Sequence, residues 1–268
     1  MSLQKLITDI NNINTQIQNI NFKIKQCNNK LSSVIPEYNK AKFKWYFESK
    51  LLQYFYPVSE KPEIIKDCIT VTQNAGHRYY KVDGAGINGA FANQYSQYGT
   101  LLKEINKYLS NVYNNNQESK YGNVLVPIYQ MPSYNSKLAE FMMYSIGPDM
   151  SGQTLLMKNN EKLIENIYKD AIQMIIDHNK NNEIKITCFR PTLLSIGIFA
   201  PKFKNNTEKI NYYQTLIKLI IESIKEKLDD SNNKYIKSVL FQEDPHLPNL
   251  NKNEYQSIID STMKGFEF

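Results

Sequence analysis

Asp67–Phe91 reads DCITVTQNAGHRYYKVDGAGINGAF, and its reading decides the fold. A short β-type apolar run, Cys68–Thr72, ends in the polar pair Gln73-Asn74. A basic aromatic loop follows, then the small-residue segment Gly84-Ala85-Gly86-Ile87-Asn88-Gly89-Ala90. Small residues let backbone N–H groups approach a ligand closely, and a helix starting beyond them adds the positive end of its dipole. A strand feeding such a loop is the build of a phosphate site at the strand's carboxyl end. A glycine-rich loop also occurs in ordinary turns, so its meaning depends on what the rest of the chain places beside it.

With 268 residues, 41% of them apolar, the chain can build one large domain or one domain with an appendage. No apolar run approaches the ~18 residues a membrane span requires. The first residues, MSLQKLITDINN, lack the apolar core of a secretory signal. Cys27, Cys68 and Cys188 follow no zinc spacing and sit in apolar settings, which reads as buried thiols in a reducing, cytoplasmic compartment. His77, His178 and His246 are scattered and give no metal cluster, and no cofactor is expected. The net charge of +6 is uneven: residues 1–50 hold eight lysines against three acids, and the remainder is nearly balanced. A nearly neutral main domain has no broad basic face for nucleic acid. Only two of the 32 basic residues are arginines, Arg78 and Arg190.

Residues 6–34 repeat apolar side chains at alternating intervals of four and three: Leu6, Ile10, Ile13, Ile17, Ile20, Ile24, Cys27, Leu31, Val34. That spacing predicts a long helix with a coiled-coil stripe, for self-association or a partner helix. A helix folding back on its own domain, or hairpinning with residues 37–50, is an equal reading. Pro36 closes this segment, which divides the chain into 1–36 and 37–268. Beyond it, strand candidates (Leu51–Val58, Ile64–Thr72, Val124–Tyr129, Phe141–Ile146, Ile184–Phe189, Ile236–Gln242) alternate with helix candidates at 90–112, 161–178, 207–228 and 253–263. Such alternation predicts an α/β domain, a mixed sheet between two helical layers. Ligands of these sheets bind beyond the carboxyl ends of strands, where the loops 74–90 and 190–201 are expected.

From about Leu51 to Gln242 the chain resembles a macrodomain, an ADP-ribose-binding α/β/α module. Asp67–Asn74 fits the family's D-A-I-V-N-A-A-N strand, and Gly84–Phe91 (GAGINGAF) fits G-G-G-V-x-G-A-I. Gly122–Pro132 followed by Met143-Tyr144-Ser145-Ile146-Gly147-Pro148 is similar to the next signature, G-x-A-V-x-T-x-x-Y-x-L-P then I-H-T-V-G-P. Ser195-Ile196-Gly197-Ile198-Phe199-Ala200 is similar to S-T-G-I-Y-G. The order of all four is kept. The departures are Glu60 where the family has an adenine-reading aspartate, Asn88 where many mono-ADP-ribose hydrolases have an acid, and no paired glutamates near Tyr95-Ser96.

The resemblance implies a ribose-binding amide at Asn74, backbone contacts to the diphosphate from Gly84, Gly86, Gly89 and Gly197, and further ligand contacts from Ile87, Asn88, Ser195, Ile196 and Ile198. It implies Phe199 stacked on the distal ribose and Glu60 reading adenine. Asp83 and His77 are the candidate acid–base groups, and Arg78 is a candidate phosphate contact. Three functions follow as expectations: a mono-ADP-ribosyl-protein hydrolase with the side-chain linkage undecided, a non-catalytic reader tethered by its N-terminal helix, and a scaffold. The expected partner is ADP-ribose or an ADP-ribosylated protein. The composition is similar to that of macrodomain effectors from intracellular bacteria with AT-rich genomes, which implies action inside a host cell.

Overall fold

The computed structural model describes residues 3–34, 44–47, 60–61, 65–115, 122–152, 158–195, 199–230 and 234–241. In chain order the elements are α1 (Leu3–Val34), β1 (Lys44–Phe47), β2 (Thr70–Gly76), α2 (Gly86–Tyr95), α3 (Leu101–Asn115), β3 (Gly122–Val126), β4 (Phe141–Ile146), α4 (Lys158–Asn181), β5 (Cys188–Arg190), α5 (Asn206–Asp230) and β6 (Ser238–Phe241). They form one six-stranded sheet in the order β1-β6-β5-β2-β4-β3. Five strands run parallel, and only β3 runs antiparallel, on its neighbour β4.

Strand β4 shows why the sheet needs helices on both faces. All six of its residues, FMMYSI, are buried. Phe141 and Met143 enter the core beneath α4 and α5, whereas Met142, Tyr144 and Ile146 enter the core with α2 and α3. Alternate residues point to opposite faces, so a strand apolar at every position must be covered twice. The covering stripes are Ile164, Ile167, Tyr168, Ile172 and Ile175 on α4, and Leu216, Ile217, Ile220, Ile221 and Ile224 on α5. Burying each such isoleucine is worth about 1.5–3 kcal/mol relative to leaving it in water.

Helix α1 rests on the domain through one face. Phe22 stacks on Tyr129 with ring centroids 4.5 Å apart and planes 4° from parallel. Gln18 Nε2 donates to the Tyr134 carbonyl (3.0 Å), Gln26 donates to the Glu183 carbonyl, and Lys25 pairs with Glu140 (3.1 Å). Glu140 is buried beside the start of β2, where it also accepts from Lys61 (2.5 Å) and the Thr70 N–H (2.9 Å).

Several boundaries differ from the sequence expectation. The strand expected at Ile64–Thr72 runs instead over Thr70–Gly76, because its register is set by β4. The single helix expected at 90–112 is two: α2 ends at Tyr95, turns follow over 96–100 with Gly99 at a φ of +57°, and Thr100, bonded to Glu104, opens the next helix. The strand expected at Val124–Tyr129 is Gly122–Val126 followed by a 3-10 turn, Ile128–Gln130. Strand β1 was not foreseen. The expected strand Leu51–Val58, the helix 253–263 and the boundary at Pro36 lie outside the described residues.

Candidate ligand site at the carboxyl edge of the sheet

Strand β2 continues to Gly76, which pairs with Ile146, so the first residue to leave the sheet is His77. A Cβ at Gly76 would lie 2.2 Å from the Tyr144 ring, so only glycine lets that ring pack across the strand's end. The Tyr144 hydroxyl then organises the loop that follows. It accepts the N–H groups of His77 (2.9 Å) and Lys81 (3.0 Å), and its own proton is shared between their carbonyls, at 2.9 and 3.0 Å. Burial pushes this phenol well above its ordinary pKa, so it stays protonated. Asn106 Oδ1 holds the next residue, accepting the Val82 N–H at 2.7 Å. No role for the Tyr144 hydroxyl or for Asn106 was read from the sequence. Nothing in their immediate pattern marks them, since their role is to join segments that pairing brings together.

The glycine loop is closed from within. Gly84 and Gly86 have φ of +80° and +64°, a region other residues enter at a cost, and a Cβ at Gly89 would meet the Gly84 carbonyl oxygen at 2.4 Å. The Asn88 amide donates to the carbonyls of Lys81 (3.0 Å) and Asp83 (2.7 Å), and its oxygen accepts from Asn74 Nδ2 (2.9 Å). These bonds correct the expectation for Asn74. It lies within β2 and not at its end, fully buried, with its amide nitrogen committed to Asn88. Asn88, also buried, acts through its side chain as the clasp of the loop. The loop leads into α2, whose preceding residue, Ala85, gives no side-chain cap. The N–H groups of the first turn, from Gly86, Ile87 and Asn88, have no acceptor four residues back in the helix.

Beside this helix end stands a charged cluster. His77 Nε2 donates to Asp83 Oδ1 at 2.7 Å, and Lys81 Nζ lies 2.9 Å from Asp83 Oδ2. The bonds from His77 first, then Lys81, hold the Asp83 carboxyl below its ordinary range. The other ring nitrogen of His77, Nδ1, accepts the Tyr79 N–H at 3.2 Å. Arg78 is exposed and turned to Tyr79, donating to its hydroxyl (2.8 Å) with the guanidinium 5.0 Å from the ring centroid.

On the second loop, Ser195 is buried with φ of +62°, donates to the Pro148 carbonyl (2.7 Å) and is held at its own carbonyl by the Tyr212 hydroxyl (2.8 Å). Phe199 is half-buried, its carbonyl accepting the Met150 N–H (3.0 Å). Ile196, Gly197 and Ile198 lie outside the described residues. A cavity of about 750 Å³ flanks this loop, lined by residues that include Glu161, Phe203, Lys204, Glu208 and Tyr212. Its lining does not include the glycine loop or the residues around Asp83.

Glu60 does not join the site. It bridges to Leu138, just before β4 begins, accepts from the Tyr98 hydroxyl (2.9 Å), and its carbonyl takes a bond from Arg190 (2.6 Å). These partners put it at the amino edge of the sheet, the opposite end from the glycine loop. Arg190, buried on β5, is likewise a structural donor to that segment. Among the described residues there is no cluster suited to a metal ion and no helix long and apolar enough to cross a membrane.

No protein-family model and no curated protein matches the sequence. Solved structures do match. A macrodomain from Oceanobacillus iheyensis with MES bound is 14% identical, with a TM-score of 0.51 over 79% of this chain and 90% of that one. A glycine-to-valine mutant of that protein with ADPR gives 15% identity and a TM-score of 0.50 over 74% and 87% of the two chains. The fold is that of a macrodomain. On this macrodomain fold, β2 and the glycine loop, with the first turn of α2, share one edge of the sheet, and His77, Lys81 and Asp83 are gathered there.

Proposed function

We propose that this macrodomain binds ADP-ribose across the loops 84–89 and 195–199 and slowly removes mono-ADP-ribose from acid-linked protein side chains. The observation that carries the reading is the uncapped first turn of α2, entered through Gly84 and Gly86 and standing beside the His77–Asp83 pair. Free N–H groups and the helix dipole suit a diphosphate, and loops held by Tyr144 and Asn88 supply it at little cost in ordering.

Cleavage of a ribosyl bond builds positive charge at the anomeric carbon. An ionised carboxylate near that carbon both stabilises the charge and orients the attacking water. Asp83 suits this role, since its bonds to His77 and Lys81 favour the ionised form. The same bonds leave no proton to give at neutral pH, and both nitrogens of His77 are engaged. A carboxylate ester departs without protonation, whereas an arginine guanidine needs a donor. The linkage favoured is therefore the ester to Asp or Glu.

A second reading, a non-catalytic reader, is favoured by the amide at Asn88 in place of an acid. The test measures release of ADP-ribose from glutamate-linked and arginine-linked substrates, with calorimetry of free ADP-ribose beside it. Expected are binding at about micromolar affinity, near 8 kcal/mol, release from the ester only, and loss of release but not of binding in Asp83→Asn. Binding without release from any linkage would establish the reader. No binding at millimolar ADP-ribose would remove both.

A further inference from the structure

Helix α1 presents two faces, and among its described side chains the contacts to the domain named above come from one of them. Writing the helix as heptads with Ile10 at position a, the domain contacts come from Gln18, Phe22, Lys25 and Gln26, at positions b, f, b and c. The apolar stripe falls at a and d, roughly opposite on the helix at about 100° per residue. It is open to solvent: Ile10, Ile13, Ile17, Ile20 and Ile24 are each 48–56% exposed. Residues 9–14 are exposed on every side, so this part of the helix stands clear of the domain. A bare helical segment that short is marginal in water. The isoleucines keep a strict 3.5-residue period, which matches a second helix of the same repeat and not a straight groove.

We infer that α1 pairs antiparallel with α1 of a second copy of this chain. The charges beside the stripe choose both partner and direction. The g positions are Asp9, Gln16, Lys23 and Lys30, and the e positions are Ile7, Asn14, Asn21 and Asn28. In a parallel pair each g faces the partner's e, so Asp9 meets Asn14 and Lys23 meets Asn28, and no charge is matched. In an antiparallel pair g faces g. With the two-fold axis between Thr15 and Gln16, Asp9 lies opposite the second copy's Lys23, and Gln16 opposite Gln16. The core layers of that register are Ile10 on Ile20 and Ile13 on Ile17, each occurring twice. Each copy's overhanging first half then lies along the half of the other copy that is anchored to its domain. Because the domains occupy b, c and f, they stay outside the seam. Isoleucine at both a and d would favour three or more strands in a parallel bundle; the matched charges select the antiparallel two-strand state.

The test is the mass of the intact chain in solution, by sedimentation equilibrium, across a concentration series. The wild type is expected to be a dimer that dissociates on dilution. Ile13→Glu and Ile17→Glu, both at exposed positions, should be monomeric with unchanged thermal melting of the domain. Asp9→Lys and Lys23→Asp should each be weakened by like charges. Mixing these two variants should restore the dimer as a heterodimer, since each copy then carries the complement of the other. A monomer at all concentrations, a trimer or tetramer, a dimer indifferent to Ile13→Glu, or failure of the mixture to recover would each overturn the inference.

Discussion

The hydroxyl of Tyr144 is the single atom on which the candidate site most depends, and Tyr144→Phe removes it with almost no change in shape. The side chain is fully buried, and its oxygen accepts two backbone N–H groups and donates to one of two carbonyls at 2.9–3.0 Å. An ordinary hydrogen bond contributes about 1 kcal/mol net, and a buried group left without its partner costs about 1–3 kcal/mol. Here Lys81 is exposed and His77 half-buried, so water can reach part of what is lost, which favours the lower end for each. The expected loss is about 2–3 kcal/mol in total, well below a plain sum over four contacts. Urea unfolding measures it as a fall in the midpoint with an unchanged slope. Tyr108→Phe is the control, since its hydroxyl makes one long contact of 3.5 Å at the surface, and should stay within about 0.5 kcal/mol of wild type. Because the same loop carries His77 and Asp83, ADP-ribose affinity should weaken about tenfold, equivalent to 1.4 kcal/mol. A Tyr144→Phe protein with wild-type midpoint would refute the idea that this phenol holds the loop.

Asn88→Asp replaces the donor to two carbonyls by a carboxylate facing them, and is expected to cost about 2–4 kcal/mol in urea unfolding without raising hydrolysis; a faster enzyme of normal stability would contradict the clasp. Glu140→Gln leaves the buried Lys61 ammonium without its counter-charge, so a loss of about 3–5 kcal/mol is expected by the same measurement. Burial lowers the Lys61 pKa to about 8 from an ordinary 10.5; a folded value below the unfolded one means that the unfolded chain holds more protons in this window. Stability should therefore rise as pH goes from about 8 towards 9.5, and a urea midpoint that falls over that range in wild type would count against it.

How much of this was legible in the sequence follows from which forces act locally. The apolar run of β4, Phe141–Ile146, and the stripes of α4 and α5 are local periodicities, and they were read within a few residues. The glycine loop was legible because positive φ demands glycine at Gly84 and Gly86. Strand β2 was displaced because Gln73 and Asn74 are polar and read as a turn. Their polarity is met by partners apart in the chain: Gln73 bonds Ser145 and the Thr192 N–H, and Asn74 Nδ2 donates to Asn88, although the Asn74 Oδ1 is buried without a hydrogen-bond partner among the described residues. Pairing with β4, not propensity, decides where that strand ends. Glu60 was misplaced for a related reason, since aligning a single acid fixes neither the edge of the sheet nor its partners. The helix break at Gly99-Thr100 did carry a local signal, a glycine followed by a capping hydroxyl, and was passed over for the longer apolar pattern.

The same bonds explain why the acid at this edge is Asp83 and not residue 88. Position 88 must supply two N–H donors to the carbonyls of Lys81 and Asp83 while accepting one from Asn74. An amide does both; a carboxylate can only accept, and would set its charge against two carbonyl oxygens. With that loop geometry the position is closed to an acid, whatever the chemistry asks. Asp83, five residues earlier, is part-exposed and free of that constraint, and its neighbours His77 and Lys81 keep its charge. A carboxylate so held can orient water and face a cationic carbon, but it cannot protonate a leaving group. Under the proposed hydrolase reading, the loop's own closure thus favours bonds whose leaving group departs as an anion.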